Sequence, residues 1–505
     1  MVKRFIRRSY KKEESVSTKN EESVYKITEI NPNLTITVDA FKKVYSYPDN
    51  QDVILRDLLI SGTDKKATIL FINTITNTRV IDDYIITPLL QNNDPTKGIN
   101  EIVTIQSIQE NNNINDIVLK VNNGYAALFI EGESIAYLLD VAKFEGRSIE
   151  RTENEKVVKG PNEAFTEKAS TNISLIRKKI KSSNLVVESL IISKRSNNDL
   201  YILYIKDLAN EKLLQNVKDR VNALDVDSIQ NLSLLEQQIE ERKYSIFPTI
   251  LYTERPDRAT SFLEDGYIVL LMDNSPDSLV LPATFWSFYH SSEDHYLRFP
   301  YGNFTRLLRI LALFITLFTS SLYVGVVTFH SEMVPPDLLL AIAATREKVP
   351  FPAAIEVILM ETAFELIREA GLRVPSPIGP TIGIVGALIL GQAAVQANIV
   401  SPIVIIIVAL SGLSSFAIGD LSMNFTIRIA RISLIFASSF MGLYGLTALF
   451  TMALFYMVSI KSFGVPYLSP LTPHYTSSND KIFRKVLQRE TYRPGYVKPK
   501  DIKKK

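Results

Sequence analysis

The chain reads as a multidomain α+β protein. Two mixed α/β lobes in a soluble N-terminal region precede an all-α polytopic membrane domain of about four transmembrane helices plus a re-entrant or interfacial helix. Three observations predict this. Charged and apolar residues are mixed up to about residue 300, whereas residues 304 to 460 are mostly apolar. Residues 310 to 329 carry no charge, and about 20 such residues can cross a bilayer core. Short β-branched and aromatic runs recur between polar stretches in the first half.

The 505 residues suffice for several domains. Lys and Arg number 56 against 54 acidic residues, a balance that does not point to nucleic acid. With no cysteine, disulfides, thiolate metal sites and cysteine nucleophiles are excluded. His290, His295, His330 and His474 lack metal-ligand spacing, so neither a metal nor a cofactor is expected. The start, MVKRFIRRSYKKEE, is basic with no apolar run behind it, unlike a signal peptide.

Residues 1–33 form a polar, basic tail and 34–164 the first lobe. In that lobe LTITV (34–38), ATILFI (67–72) and YAALFI (125–130) read as strands, NNNIND (111–116) as a loop, and 53–60 and 133–140 as short helices. The second lobe spans 165–300. NISLIRKKI (172–180) and NEKLLQNVKDRVNAL (210–224) have helical apolar spacing; LVVESLIIS, DLYILYIKDL and GYIVLLMD read as strands.

The transmembrane domain is 301–460, with spans at about 310–330, 378–397, 400–419 and 432–459. Asn398 to Pro402 reads as the turn between the middle two. Between the first two spans an amphipathic helix at 353–370, bracketed by prolines, carries Glu356, Glu361, Glu365, Arg368 and Glu369. Five charges make a spanning helix costly, which favours an interfacial or re-entrant one. Basic residues flank the first span at Arg298, Arg306 and Arg309, and ten Lys or Arg lie in the 461–505 tail from Lys481 onward. Both termini are therefore expected on the cytoplasmic side, with the tail near anionic lipid. Arg428 and Arg431 run against this orientation, since four spans would put them outside.

Long blocks carry a resemblance: PFPAAIEVILMETAFELIREAGLRVP, IVGALILGQAAVQANIVSP, VKGPNEAFTE, NISLIR, FPTILYTERPD and DGYIVLLMDNSP. Across residues 40 to 495 the chain resembles the GerA family of bacterial spore germination proteins, and within it the A subunits of nutrient germinant receptors. The resemblance implies a multi-pass protein of the spore inner membrane that works beside a permease-like B subunit and a lipoprotein C subunit. It implies nutrient sensing, and an oligomer acting as a ligand-gated channel for monovalent cations. An ancillary branch of the family is the nearest alternative. Two departures stand out: FAIGD places Gly419 where the family usually has proline, and EDHY carries His295 where a tyrosine is usual.

On a helix at 100° per residue, Thr381, Val385, Leu388, Gln392 and Gln396 fall within about 80° of arc. Gly383, Ala387 and Ala394 lie opposite, flanked by Gly391. The first face suits a pore wall, with Val385 and Leu388 as a dewetting gate; the second suits close helix packing. Equally, the glutamines could bond neighbouring helices. Glu361, Glu365 and Glu369 form a candidate acidic vestibule; alternatively Glu361, Glu365 and Arg368 form intrahelical or intersubunit pairs. TERPDRA (253–259) lacks a nearby histidine, so pairing of Arg255 with Asp257 or helix capping is expected. No nucleophile, base and stabiliser assemble, which argues against an enzyme. A non-conducting scaffold coupling a transporter-like partner to downstream release is the second reading. A transporter, which calls for repeated spans, ranks last.

Overall fold

The computed structural model describes residues 29–144, 152, 155–373, 389–477 and 481–504. The first lobe opens with helix α1 (Leu34–Val44), followed by β1 (Val53–Ile60), β2 (Lys65–Ile72), short helical turns, β3 (Ile108–Asn111), α2 (Ile114–Val121), β4 (Tyr125–Ile130) and β5 (Ala136–Asp140). These strands form one antiparallel sheet in the order β1-β2-β4-β5-β3. One sheet face packs under α1 and α2 through Phe41, Ile117 and Val121; the other packs under the turns at 78–91 through Ile81, Ile85 and Leu89.

The second lobe repeats the plan. Helix α3 (Ala169–Lys179) precedes β6 (Leu185–Ile192) and β7 (Asn198–Ile205). Then follow α4 (Glu211–Asn222), α5 (Leu232–Ile239), β8 (Leu251–Thr253), α6 (Pro256–Glu264), β9 (Ile268–Met272) and β10 (Ser278–Leu281). The strand order β6-β7-β9-β10-β8 is the same permutation as in the first lobe, again antiparallel throughout. The lobes join at the edge strand β6. Gln51 N donates to Val187 O (3.0 Å), and buried Arg177 pairs with buried Asp52. A covered edge cannot recruit foreign strands.

Four segments differ from expectation. Residues 34–38 are helical rather than strand. Asn33 caps α1 by accepting from Thr35 N and Ile36 N, and the buried Leu34, Thr37, Val38 and Phe41 have helical spacing. Residues 53–60 and 136–140 are strands rather than helices, because each supplies a sheet face. The 111–116 loop is a two-residue link into α2, which Asn113 caps.

The helical domain comprises α7 (Phe299–Phe329), α8 (Pro336–Arg346), α9 (Ala353–Arg373), α10 (Pro402–Ser415) and α11 (Leu421–Ser459). Residues 389–396 are also helical. Asn398 takes positive φ (53°) before Pro402 opens α10, which makes the turn read from sequence. Among the described residues α7 and α11 are long and apolar enough to cross a membrane. The count of four spans is not reproduced. Helix α10 has 14 residues, roughly 21 Å, short of a bilayer core of about 30 Å, and most of 378–397 lies outside the described residues.

Helix α11 also differs from a single span at 432–459. It starts at Leu421 and breaks at Gly442 (φ 58°, ψ −140°). Its first part runs from Thr426, which donates to Ile246 O of the second lobe, up to Gly442 beside Phe329 and His330. Its second part returns, with Phe450 against Phe318 and Ser459 accepting from Arg242 of the second lobe. The arms are roughly 31 and 26 Å long. Both ends of this hairpin therefore meet the second lobe, and Ile418, Met423, Ile427, Ile460 and Tyr467 join that lobe's own core.

Candidate functional site

Polar side chains concentrate where α7, α9, α10 and α11 cross. Arg431 of α11 is fully buried, with Nη2 2.9 Å from Glu361 Oε2 and 2.7 Å from Glu365 Oε1. Its Nη1 donates to Ser411 Oγ at 3.2 Å. Arg428 takes the other oxygen of Glu365. Ser320 of α7 donates to Glu361 Oε1 at 2.7 Å. Thr316 and Ser411 exchange hydrogen bonds with each other's carbonyls, at 3.3 and 3.1 Å. Arg368 donates to Gly412 O at 3.2 Å while its guanidinium lies 4.5 Å from the Phe416 ring. Arg368, Arg428, Arg431, Glu361 and Glu365 thus each have a counter-charge or acceptor, without which burial would cost several kcal/mol.

Small residues bring the helices this close. A Cβ on Gly412 would sit 2.4 Å from Phe364 Cζ, and one on Gly325 would sit 2.6 Å from Ser438 Oγ. Ser438 donates to Ser321 O at 2.6 Å. A second polar knot lies at the far end of α9. Glu356, fully buried, accepts from Arg346 Nε at 3.1 Å and from Ser401 N at 2.9 Å, at the start of α10.

The predicted residues separate. Thr381, Gly383, Val385, Ala387 and Leu388 lie outside the described residues. Gln392 and Gln396 are exposed on the single chain, whereas Gly391 and Ala394 are buried; Ala394 packs with Val400, Val404 and Val408. Glu361 and Glu365 are ion-paired, and Glu369 is exposed. The arginines that pair them are on α11, not on the same helix. Arg428 and Arg431, which run against the orientation expected from basic residues, have opposite-charge partners on α9. Helix α9 itself packs among α7, α10 and α11, and its exposed Ile355, Leu359 and Leu366 form an apolar outer stripe.

A joint connects the lobes to these helices. Asp294, buried, lies 2.9 Å from Arg306 Nε and accepts from both Arg309 Nη atoms at 3.1 Å. Burial opposes its charge, but the two guanidinium groups outweigh that and hold its carboxyl below the usual range. Arg309 also donates to Tyr289 O at 2.8 Å. Nearby, Arg255 pairs with Asp257 at 3.0 Å and donates to Pro161 O at 2.8 Å, so TERPDRA fastens the inter-lobe linker. Arg255 is also the N-cap residue of α6. Among the described residues no group of metal-ligating side chains comes together.

A family model described as "Bacillus/Clostridium GerA spore germination protein" matches residues 39–496. The chain is similar to spore germination protein KA of Bacillus subtilis (strain 168), 38% identical over 480 residues, covering 94% of this chain and 88% of that protein. It is similar to spore germination protein A1 of the same strain, 40% identical over 348 residues, covering 69% and 72%. Among solved structures it is similar to the N-terminal domain of the A subunit of the Bacillus megaterium spore germinant receptor GerK3. That match is 27% identical, with TM-score 0.41, and covers 51% of this chain and 98% of that one.

Proposed function

The chain belongs to the GerA family of spore germination proteins, and we propose that it is the A subunit of a nutrient germinant receptor. It works with B and C subunits in the spore inner membrane, its termini on the core side. Several copies surround a path for monovalent cations, which nutrient binding to the receptor opens. One observation carries the oligomeric path: Gln392 and Gln396 are exposed on an apolar domain while Gly391 and Ala394 on the same helix are packed. Amides facing lipid leave their hydrogen-bonding groups unsatisfied, so in the membrane this face meets water or another subunit. We assign it, with Thr381, Val385 and Leu388, to the pore wall. Glu361 and Glu365 are ion-paired within the chain and Glu369 is exposed, and we assign Glu369 to the mouth of the path.

The test is conductance of the reconstituted receptor, with and without nutrient. Val385→Ala should give spontaneous potassium release from spores, and Glu369→Gln should lower cation-over-anion selectivity. A receptor that germinates spores yet conducts under no nutrient, with Val385 variants indistinguishable from wild type, removes the channel and leaves a scaffold.

A further inference from the structure

The C-terminal segment divides into two parts with different surroundings. Residues 493–504 dock on the second lobe, where Arg493, Lys500 and Lys504 are ion-paired. Arg493 pairs with Asp501 (3.1 Å) and donates to Glu264 O (2.9 Å). Lys500 pairs with Glu211 (2.8 Å) and Lys504 with Asp265 (3.0 Å). Residues 481–489 are held by backbone hydrogen bonds and by the buried side chain of Arg484. Lys481 O lies 2.6 Å from His290 Nε2, Arg484 N donates to Asn303 Oδ1 (2.9 Å), and Arg484 Nη2 donates to Leu297 O (2.7 Å). With those points fixed, Ile482, Phe483, Val486 and Leu487 all face outward, as do Lys485 and Arg489.

Four large apolar side chains exposed within six residues call for a partner. They sit beside the start of α7, where Phe299, Tyr301 and Phe304 are exposed too, and the stripe continues through Leu307, Leu308 and Leu311 into the uncharged stretch. Aromatic and apolar side chains interspersed with cations, at the point where a chain enters a bilayer, have the composition of an interfacial anchor. We propose that residues 481–489 and the first turns of α7 form one belt embedded in the headgroup region of an anionic membrane. Lys485 and Arg489 meet lipid phosphates, and the four apolar side chains enter the acyl boundary. The belt rests on the reading of α7 as membrane-spanning. It fixes the height of the joint at Asp294, because Arg484 ties the belt to residues 295–303.

The chain contains no cysteine, so a single introduced one takes a unique spin label. Labels at Phe483→Cys and Leu487→Cys are compared, in the full chain in phosphatidylglycerol nanodiscs, with Phe314→Cys on α7 and Leu119→Cys on the first lobe. The belt predicts preferential relaxation by oxygen at 483 and 487, as at 314, against a nickel chelate at 119. Replacing Lys485 and Arg489 with Gln, or the lipid with phosphatidylcholine, should lower the lipid-phase fraction, by roughly fivefold per charge removed. Aqueous behaviour at 483 and 487 with 314 in lipid overturns the belt alone. So does dipolar broadening between labels, which marks a protein interface. Aqueous behaviour at 314 overturns the belt together with the membrane reading beneath it.

Discussion

Arg177 and Asp52 meet where the two lobes touch, both about 2% exposed. Arg177 also donates to Asn50 Oδ1 (3.4 Å) and Leu185 O (3.3 Å). Substituting Asp52→Asn leaves the guanidinium buried without its counter-charge and should cost about 3–5 kcal/mol, read as a lowered unfolding midpoint of the purified chain. Replacing both residues with apolar ones of similar volume should recover most of that loss. Arg431 poses the same problem among apolar helices. Arg431→Met strands Glu361 and half of Glu365, so the chain should fail to accumulate in membranes. Glu361→Gln, which keeps an acceptor for Arg431 and Ser320, should be tolerated better; equal accumulation of all variants would deny the cluster a structural role. The acidic half of this cluster was legible in the sequence as charges on one face of 353–370. Its basic partners lie more than 60 residues away, and helical periodicity cannot report a contact between helices.

At the scale of elements, Gly442 decides the shape of the helical domain. Its φ of 58° with ψ of −140° belongs to glycine, and a Cβ there would lie 2.8 Å from Phe329 Cβ and 2.9 Å from His330 Nε2. Gly442→Ala should therefore cost about 1–3 kcal/mol and open the hairpin. Cross-linking between cysteines placed at Phe318 and Phe450, whose rings now lie 5.0 Å apart, should fall; undiminished cross-linking would mean the turn does not depend on glycine. The residues alone indicate one long span here because nothing in 432–460 is charged or proline, and a glycine among small residues does not announce its φ. The same limit explains LTITV: β-branched residues suggest a strand, while the cap at Asn33 and the burial of Phe41 set a helix. Where periodicity and length agree, as in α3, α4 and the central strands, the reading from residues alone matches the structure.

The whole molecule is two copies of one α/β plan stacked on a helical domain, and the second copy makes the connection. The repeated strand order is not legible in the residues, since it is set by pairing rather than by local composition. Where that copy meets α11, three carboxylates gather: Glu236 and Glu240 from the α5 region, and Asp420, whose Oδ1 accepts from Met423 N at 3.0 Å. Burial first, then Glu240 and Asp420, push the Glu236 carboxyl up to about 8; burial, partly offset by Arg258, pushes Asp420 up to about 6. An unfolded chain releases these protons near pH 4 to 4.5. Between roughly pH 4.5 and 8 the folded joint therefore holds protons that the unfolded chain has lost. Stability from these groups is full below that window and falls as pH rises through it, by a few kcal/mol at most. Asp277, pushed up to about 6 by burial, adds a slope of the same sign. Thermal unfolding of the full chain should thus occur at lower temperature at pH 8 than at pH 5. Glu236→Gln should raise the midpoint at pH 8, leave it nearly unchanged at pH 5 and flatten the slope without abolishing it. If the variant keeps the whole wild-type slope, the carboxylates at the base of α11 are not its source, and the joint holds its two halves together by packing alone.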